Sequence, residues 1–269
     1  MRSGLLASTF AAALLVTASA SAQAADMFAK APSPYYDWTG FYAGLHAGWE
    51  DAETKGWSFD GGAAFGFVGF LAGGDFGPTQ QRTHGWDGGG QFGYNYQIRR
   101  AVLGFELSGS WSGINNTSAG PGVPGGGPAG CSQFSTAAVA CTIKQDWTFN
   151  ALSRLGYTFV DGRLLTYVTA GGALTQLNMS TTDSETARSV TFGGTKVMPG
   201  VALGAGAQYA LGYGFSIGAE YLYTKYATQD FSSMGTCTGT CPAKPTFPFT
   251  ANRDLTTNSV RGVLNYKFE

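Results

Sequence analysis

The sequence predicts an all-β fold: an eight-stranded antiparallel up-and-down transmembrane β-barrel with short periplasmic turns and four long external loops. Three observations predict it. Apolar side chains recur at every second position over eight stretches, the period of a strand and not of a helix. The connections between these stretches alternate long, short, long, short, long, short, long, which suits a barrel whose turns and loops lie on opposite sides of a bilayer. The second face of each stretch is built from Gly, Ser, Asn and Gln with few charges, and only 12% of the chain is Asp, Glu, Lys or Arg. That is about half the ~25% of an ordinary globular protein.

The N-terminus reads as a secretion signal over residues 1–24. Arg2 supplies the positive start, Leu5–Val16 the apolar core, and Ala22-Gln23-Ala24 a small-residue cleavage site. The rival reading, a membrane anchor, needs a longer apolar core. No run of ~18 apolar residues follows, which excludes a mature transmembrane helix. Residues 25–37 are polar and contain proline, the composition of a flexible periplasmic lead-in. The barrel is expected over 38–269.

The first strand is Trp38–Trp49. Phe41, Ala43, Leu45, Ala47 and Trp49 share one face; Gly40, Tyr42, Gly44, His46 and Gly48 share the other. Its roughly twelve residues match the ~9–11 that cross a bilayer at a tilt. A long segment, Glu50–Asp87, follows, with apolar Ala63–Phe70 suited to a short hairpin or helix. The second strand, about Gly88–Ile98, alternates Phe92, Tyr94, Tyr96 and Ile98 with small polar residues, and Arg99-Arg100 makes a tight turn. The third, Val102–Gly113, sets Leu103, Phe105, Leu107 and Trp111 against Gly104, Glu106, Ser108 and Ser110. Ile114–Lys144 reads as a loop around PGVPGGGPAG.

The fourth strand, about Gln145–Val160, places Trp147, Phe149, Leu155, Tyr157 and Phe159 opposite Asn150 and Arg154. Asp161-Gly162 is a hairpin signal, because Gly adopts positive φ without steric cost. The fifth, about Leu164–Asn178, is apolar on both faces and its phase is open. Met179–Lys196 reads as a Thr/Ser-rich loop. The sixth (about Val197–Leu211) and seventh (Phe215–Tyr226) alternate clearly around Gly212-Tyr213-Gly214, with Glu220 on the small face. Ala227–Arg253 is the fourth long loop. The eighth, about Leu255–Phe268, opposes Val260, Gly262, Leu264, Tyr266 and Phe268 to Arg261, Val263, Asn265 and Lys267.

A soluble eight-stranded barrel of the lipocalin type also alternates, but its exterior is rich in Lys and Glu. Here the apolar face carries aromatics near the strand ends. Trp49, Trp111 and Trp147 point toward the long loops, and Tyr96, Phe159, Tyr209 and Phe268 toward the short turns. Two aromatic belts are the mark of a membrane barrel.

The chain resembles the Gram-negative outer-membrane immunogenic protein family of porin-like eight-stranded barrels, related to the transmembrane domain of outer membrane protein A. The residues that carry the likeness are Ala24-Ala25-Asp26, Lys30-Ala31-Pro32, Trp38-Thr39-Gly40-Phe41-Tyr42, Gly104-Phe105-Glu106 and Val260–Phe268. Members usually end on an aromatic residue read by the barrel-assembly machinery; here Glu269 follows Phe268. The resemblance implies location in the outer membrane and contact with outer-membrane lipid, lipopolysaccharide and the barrel-assembly machinery. It implies a non-enzymatic role in envelope integrity and surface presentation of loops. The alternative is a narrow porin for small ions and solutes. A lipid-modifying enzyme is a third reading, without a recognisable site. No cofactor is expected, and a formal charge of −1 offers no basic surface to nucleic acid.

Glu106, Arg154, Glu220 and Arg261 fall on the inward phase. In a lumen of eight strands such charges must pair, as a closed plug or as a selectivity constriction. His46 also faces inward, and neither a Ser nor an acid can be assigned to it; His84 closes the first loop. Gly125-Gly126-Gly127 lacks the helix and Lys of a phosphate loop. The aromatic first loop, Trp57–Phe76, is a candidate surface for a ligand or partner. Cys131/Cys141 and Cys237/Cys241 are candidate disulfides, plain loop staples in an exported chain, though four cysteines allow three pairings. No His stands near either pair to complete a zinc site.

Overall fold

The computed structural model describes residues 35–60, 79–119, 138–185, 188–239 and 246–268. Their strands are β1 (Gly40–Asp60), β2 (Thr79–Ile98), β3 (Ala101–Ser112), β4 (Asn115–Ala119) and β5 (Ala138–Phe159). Then follow β6 (Leu164–Glu185), β7 (Arg188–Gly212), β8 (Phe215–Tyr226), β9 (Gln229–Gly239) and β10 (Thr246–Lys267). Every pairing is antiparallel, and β1 pairs with β10 from Tyr42↔Lys267 outward, which closes the sheet into a ring.

The ring has eight positions, filled by ten segments. β4 pairs with β5 in line with β3, and β9 pairs with β10 in line with β8. Two of the eight strands are therefore broken. The first break falls at Gly113, whose amide donates to Trp86 O at 2.8 Å. A Cβ there would lie 2.3 Å from the Trp86 indole nitrogen, so any larger residue would have to displace the exposed Trp86 ring.

The strands of the ring reach well beyond the bilayer. β1, β5, β6, β7 and β10 run for 21 to 25 residues, where ~9–11 suffice to cross. About eleven surplus residues at ~3.3 Å each, tilted by ~45°, carry the wall roughly 25 Å outward. Much of what reads as loop in Ile114–Lys144, Met179–Lys196 and Ala227–Arg253 is thus strand. These stretches are rich in Thr and their apolar residues, among them Ile114, Ile143 and Phe231, are too scattered to set a period, yet β-branched Thr suits a pleated ladder.

The short turns lie at the opposite end. Arg99, Val160, Asp161 and Tyr213 adopt positive φ, the backbone that matches the twist of a tight hairpin. The lead-in sits at the same end and is not free over its last residues. The Tyr36 amide donates to Asp161 O at 3.1 Å, and the Trp38 amide and indole donate to Gln97 Oε1 and Gly162 O at 2.8 and 2.7 Å. Residues 25–34 lie outside the described residues.

The β6 phase is now fixed. Leu165, Tyr167, Thr169, Ala173, Thr175 and Leu177 face the lumen, and Val168 and Leu174 face out. Both faces are apolar because the lumen itself is apolar at its two ends. Trp38, Val102, Leu165, Tyr167 and Ala210 form a cluster near the short turns. Ile114, Ile143, Leu177, Met198, Phe231 and Leu255 belong to a second cluster toward the external end. A polar layer separates the two.

Candidate functional site in the barrel lumen

Register places the four inward charges where small neighbours leave them room. Gly93 lies opposite Glu106, Gly104 opposite Arg154, Gly206 opposite Glu220 and Gly48 opposite Arg261. β8 and β10 set Glu220 directly against Arg261. Arg154 Nη2 reaches Glu106 Oε2 at 2.5 Å, and Arg261 Nη2 reaches Glu220 Oε1 at 2.6 Å. Arg261 Nε adds a second bond to that oxygen at 3.2 Å. Longer contacts, Arg154 to Glu220 at 3.6 Å and Arg261 to Glu106 at 3.8 Å, close the four into one network. Their side chains are at most 1% exposed.

Two tyrosines complete the network that sequence reading confined to four charges. The Tyr42 hydroxyl donates to Glu106 Oε2 at 2.7 Å, and the Tyr167 hydroxyl to Glu220 Oε2 at 2.8 Å. The Arg154 guanidinium lies 4.0 Å from the Tyr167 ring centroid, within cation–π range. Both tyrosines obey one rule. Tyr42, Gly93 and Glu106 stand side by side on β1, β2 and β3, and Tyr167, Gly206 and Glu220 on β6, β7 and β8. In each row the phenol crosses the glycine to reach the acid. Tyr42 was legible on the small face; Tyr167 was hidden by the open phase of its strand.

His46 has a serine after all. Its Nε2 lies 2.7 Å from Ser110 Oγ, and its Nδ1 lies 3.2 Å from Gln91 Oε1. The order serine, imidazole, orienting acceptor is that of an activated nucleophile. The space beside Ser110, however, measures about 20 Å³, room for about one water molecule. A space of that size does not admit an acyl substrate beside Ser110. His84 stacks near Trp49, with centroids 5.6 Å apart.

That space is a polar cavity on the external side of the charge network, lined in part by Glu50, Asp87, Asn150, Tyr226, Thr257 and Ser259. Gln145 Nε2 donates to both Glu50 oxygens at 3.3 Å, and Ser259 Oγ donates to Asp87 Oδ1 at 3.4 Å. Among the described residues no cluster of three His, Cys, Asp or Glu side chains stands ready for a metal. Farther out, beyond the membrane band, burial holds the Arg253 guanidinium down to about 10.

Of the interface aromatics, Trp49, Trp111, Tyr209 and Phe268 are exposed on the outer face. Trp147 is half-buried, because a register shift between Gln145 and Thr148 turns it and its indole donates to Gln176 Oε1 at 2.6 Å. Cys131, Cys241, Gly125–Gly127 and residues 61–78 of the first loop lie outside the described residues. Cys141 falls on β5 and Cys237 on β9.

A closed antiparallel ring, apolar outside and with a polar layer within, with its short turns, Trp38 and Phe268 at one rim, is an outer-membrane β-barrel of a Gram-negative bacterium. The chain belongs to the family described as outer membrane protein beta-barrel domain, whose model matches residues 10–268. It is similar to the 31 kDa outer-membrane immunogenic protein of Brucella melitensis, 31% identical over 236 residues, covering 83% of this chain and 87% of that one. It is also similar to the 25 kDa outer-membrane immunogenic protein of Brucella canis, 25% identical over 266 residues, covering 95% of each. In fold it resembles the outer membrane protease OmpT of Escherichia coli, with a TM-score of 0.52 at 9% identity, covering 85% of this chain and 97% of that one.

Proposed function

We propose that this outer-membrane barrel is closed and non-enzymatic, and that it supports envelope integrity while holding its external wall at the cell surface. The observation that carries the reading is the buried network of Glu106, Arg154, Glu220 and Arg261, in which every charge has an opposite charge within 4 Å. An eight-stranded interior is only wide enough for side chains to fill. Trp38, over the end near the short turns, adds an apolar plug beneath the charges. The outward apolar band would face outer-membrane lipid and lipopolysaccharide, and the last strand would be offered to the barrel-assembly machinery.

Single-channel recording of the refolded chain, residues 25–269, in planar bilayers tests the closure. Silence in the parent with leak in Glu106→Ala or Arg261→Ala is the expected result. Steady conductance steps in the parent would overturn it in favour of a narrow porin. A strain lacking the protein should be more sensitive to detergent.

A further inference from the structure

We infer that the cavity at the external side of the charge network is a calcium site, formed by the carboxylates of Glu50 and Asp87 with the amide oxygen of Asn150 and neighbouring hydroxyls. The charge balance points there first. Two glutamates and two arginines of the network neutralise each other. Glu50 and Asp87 add two more buried acids, 5% exposed each, and among the described residues neither forms an ion pair. Arg261 also lines the cavity and attracts Asp87, but both its Nε and its Nη2 are bonded to Glu220 Oε1. Four buried acids thus face two arginines, and buried negative charge in excess of its counter-charges costs several kcal/mol, so the site calls for a cation.

The neutral groups point the same way. Asn150 is 2% exposed and its Oδ1, in the cavity lining, accepts no hydrogen bond; its Nδ2 is spent on Ser108 Oγ at 3.4 Å. The Tyr226 hydroxyl stands in the same lining, among Thr148 and Thr257. Register explains the convergence. Glu50 lies opposite Ser259, Asp87 opposite Gly48, and Thr257 opposite Thr224, so residues from four adjoining strands line the one cavity.

The donor chemistry selects the ion. Every candidate donor is oxygen, which suits a hard cation. With room for about one water-sized particle, the cavity does not admit the waters that magnesium keeps. Calcium instead accepts several protein oxygens in an irregular shell.

Terbium, a luminescent calcium substitute, tests the site in the refolded chain, residues 25–269, in detergent micelles. Tyr226 in the cavity lining would sensitise its emission. The expected result is emission on aromatic excitation that calcium chloride displaces, with affinity lowered at least tenfold in Glu50→Gln. Should that variant fail to refold, Asn150→Ala, which removes no charge, is read by the same titration and should also weaken binding. Absence of emission in the parent, failure of calcium to compete, or unchanged affinity in whichever variant folds would overturn the site.

Discussion

Tyr42 and Glu106 stand two strands apart, yet the phenol donates to Glu106 Oε2 at 2.7 Å because Gly93 lies between them. The same oxygen receives Arg154 Nη2 at 2.5 Å. Removing only the hydroxyl isolates the worth of the tyrosine. Tyr42→Phe should lower stability by about 1.5–3 kcal/mol, the range for a hydrogen bond to a charged group. Urea unfolding in lipid vesicles, followed by tryptophan fluorescence, measures it; an unchanged midpoint would separate Tyr42 from the network.

The glycine between them is a spacer. A Cβ on Gly93 would lie 2.5 Å from the Tyr42 hydroxyl oxygen and 2.5 Å from Phe105 O. Gly93→Ala should therefore destabilise by roughly 1–3 kcal/mol through overpacking. Because part of the clash is with the hydroxyl that Tyr42→Phe removes, the double variant should cost less than the two single losses added. A double-mutant cycle on the same unfolding measurement reads the difference, and strict additivity would count against a shared contact.

Breaking one ion pair should be worse than removing both partners. Arg154→Met leaves Glu106 and Glu220 buried with only Arg261 near, and should cost about 3–5 kcal/mol. Arg154→Met with Glu106→Gln should recover a good part of that loss. The order of the unfolding midpoints decides: a double variant weaker than the single would reject the charge argument.

Closure should rest first on the charge network, with Trp38 as a partial constriction below it. Trp38 is buried, 4% exposed, and its indole donates to Gly162 O at 2.7 Å. Trp38→Ala should lower stability by about 3–5 kcal/mol and still leave the barrel silent, because the charges above remain paired. Trp38→Ala combined with Glu220→Ala should raise leak above either single variant in planar bilayers.

The sequence was legible where one face meets lipid along its whole length. Alternation from Phe41 to Trp49 and from Phe215 to Tyr223 assigned strands and faces directly, and with them the inward phase of Glu106, Arg154, Glu220 and Arg261. It was silent where the physical reason for alternation lapses. Leu165 and Leu177 face inward because they cap the polar layer at its two ends, so β6 has no polar side to read. The Thr-rich reaches of β6 and β7 stand above the bilayer, where neither face needs to be apolar. The contact of His46 with Ser110 joins β1 to β3 across an intervening strand, and no spacing along the chain encodes it. Gln145 and Thr148 straddle a register shift, which is why Trp147 turns from the plain outward position its parity suggests.

The tall external wall changes what an antibody or a phage would meet at the surface. From Asn178↔Thr195 to Glu185↔Arg188 the backbones of β6 and β7 are joined rung by rung, and successive residues point to opposite faces. A recognised patch is then assembled from every second residue of several neighbouring strands. Linear peptides copied from one strand present a different surface, so antibodies raised against them and antibodies raised against the folded barrel should divide into separate populations.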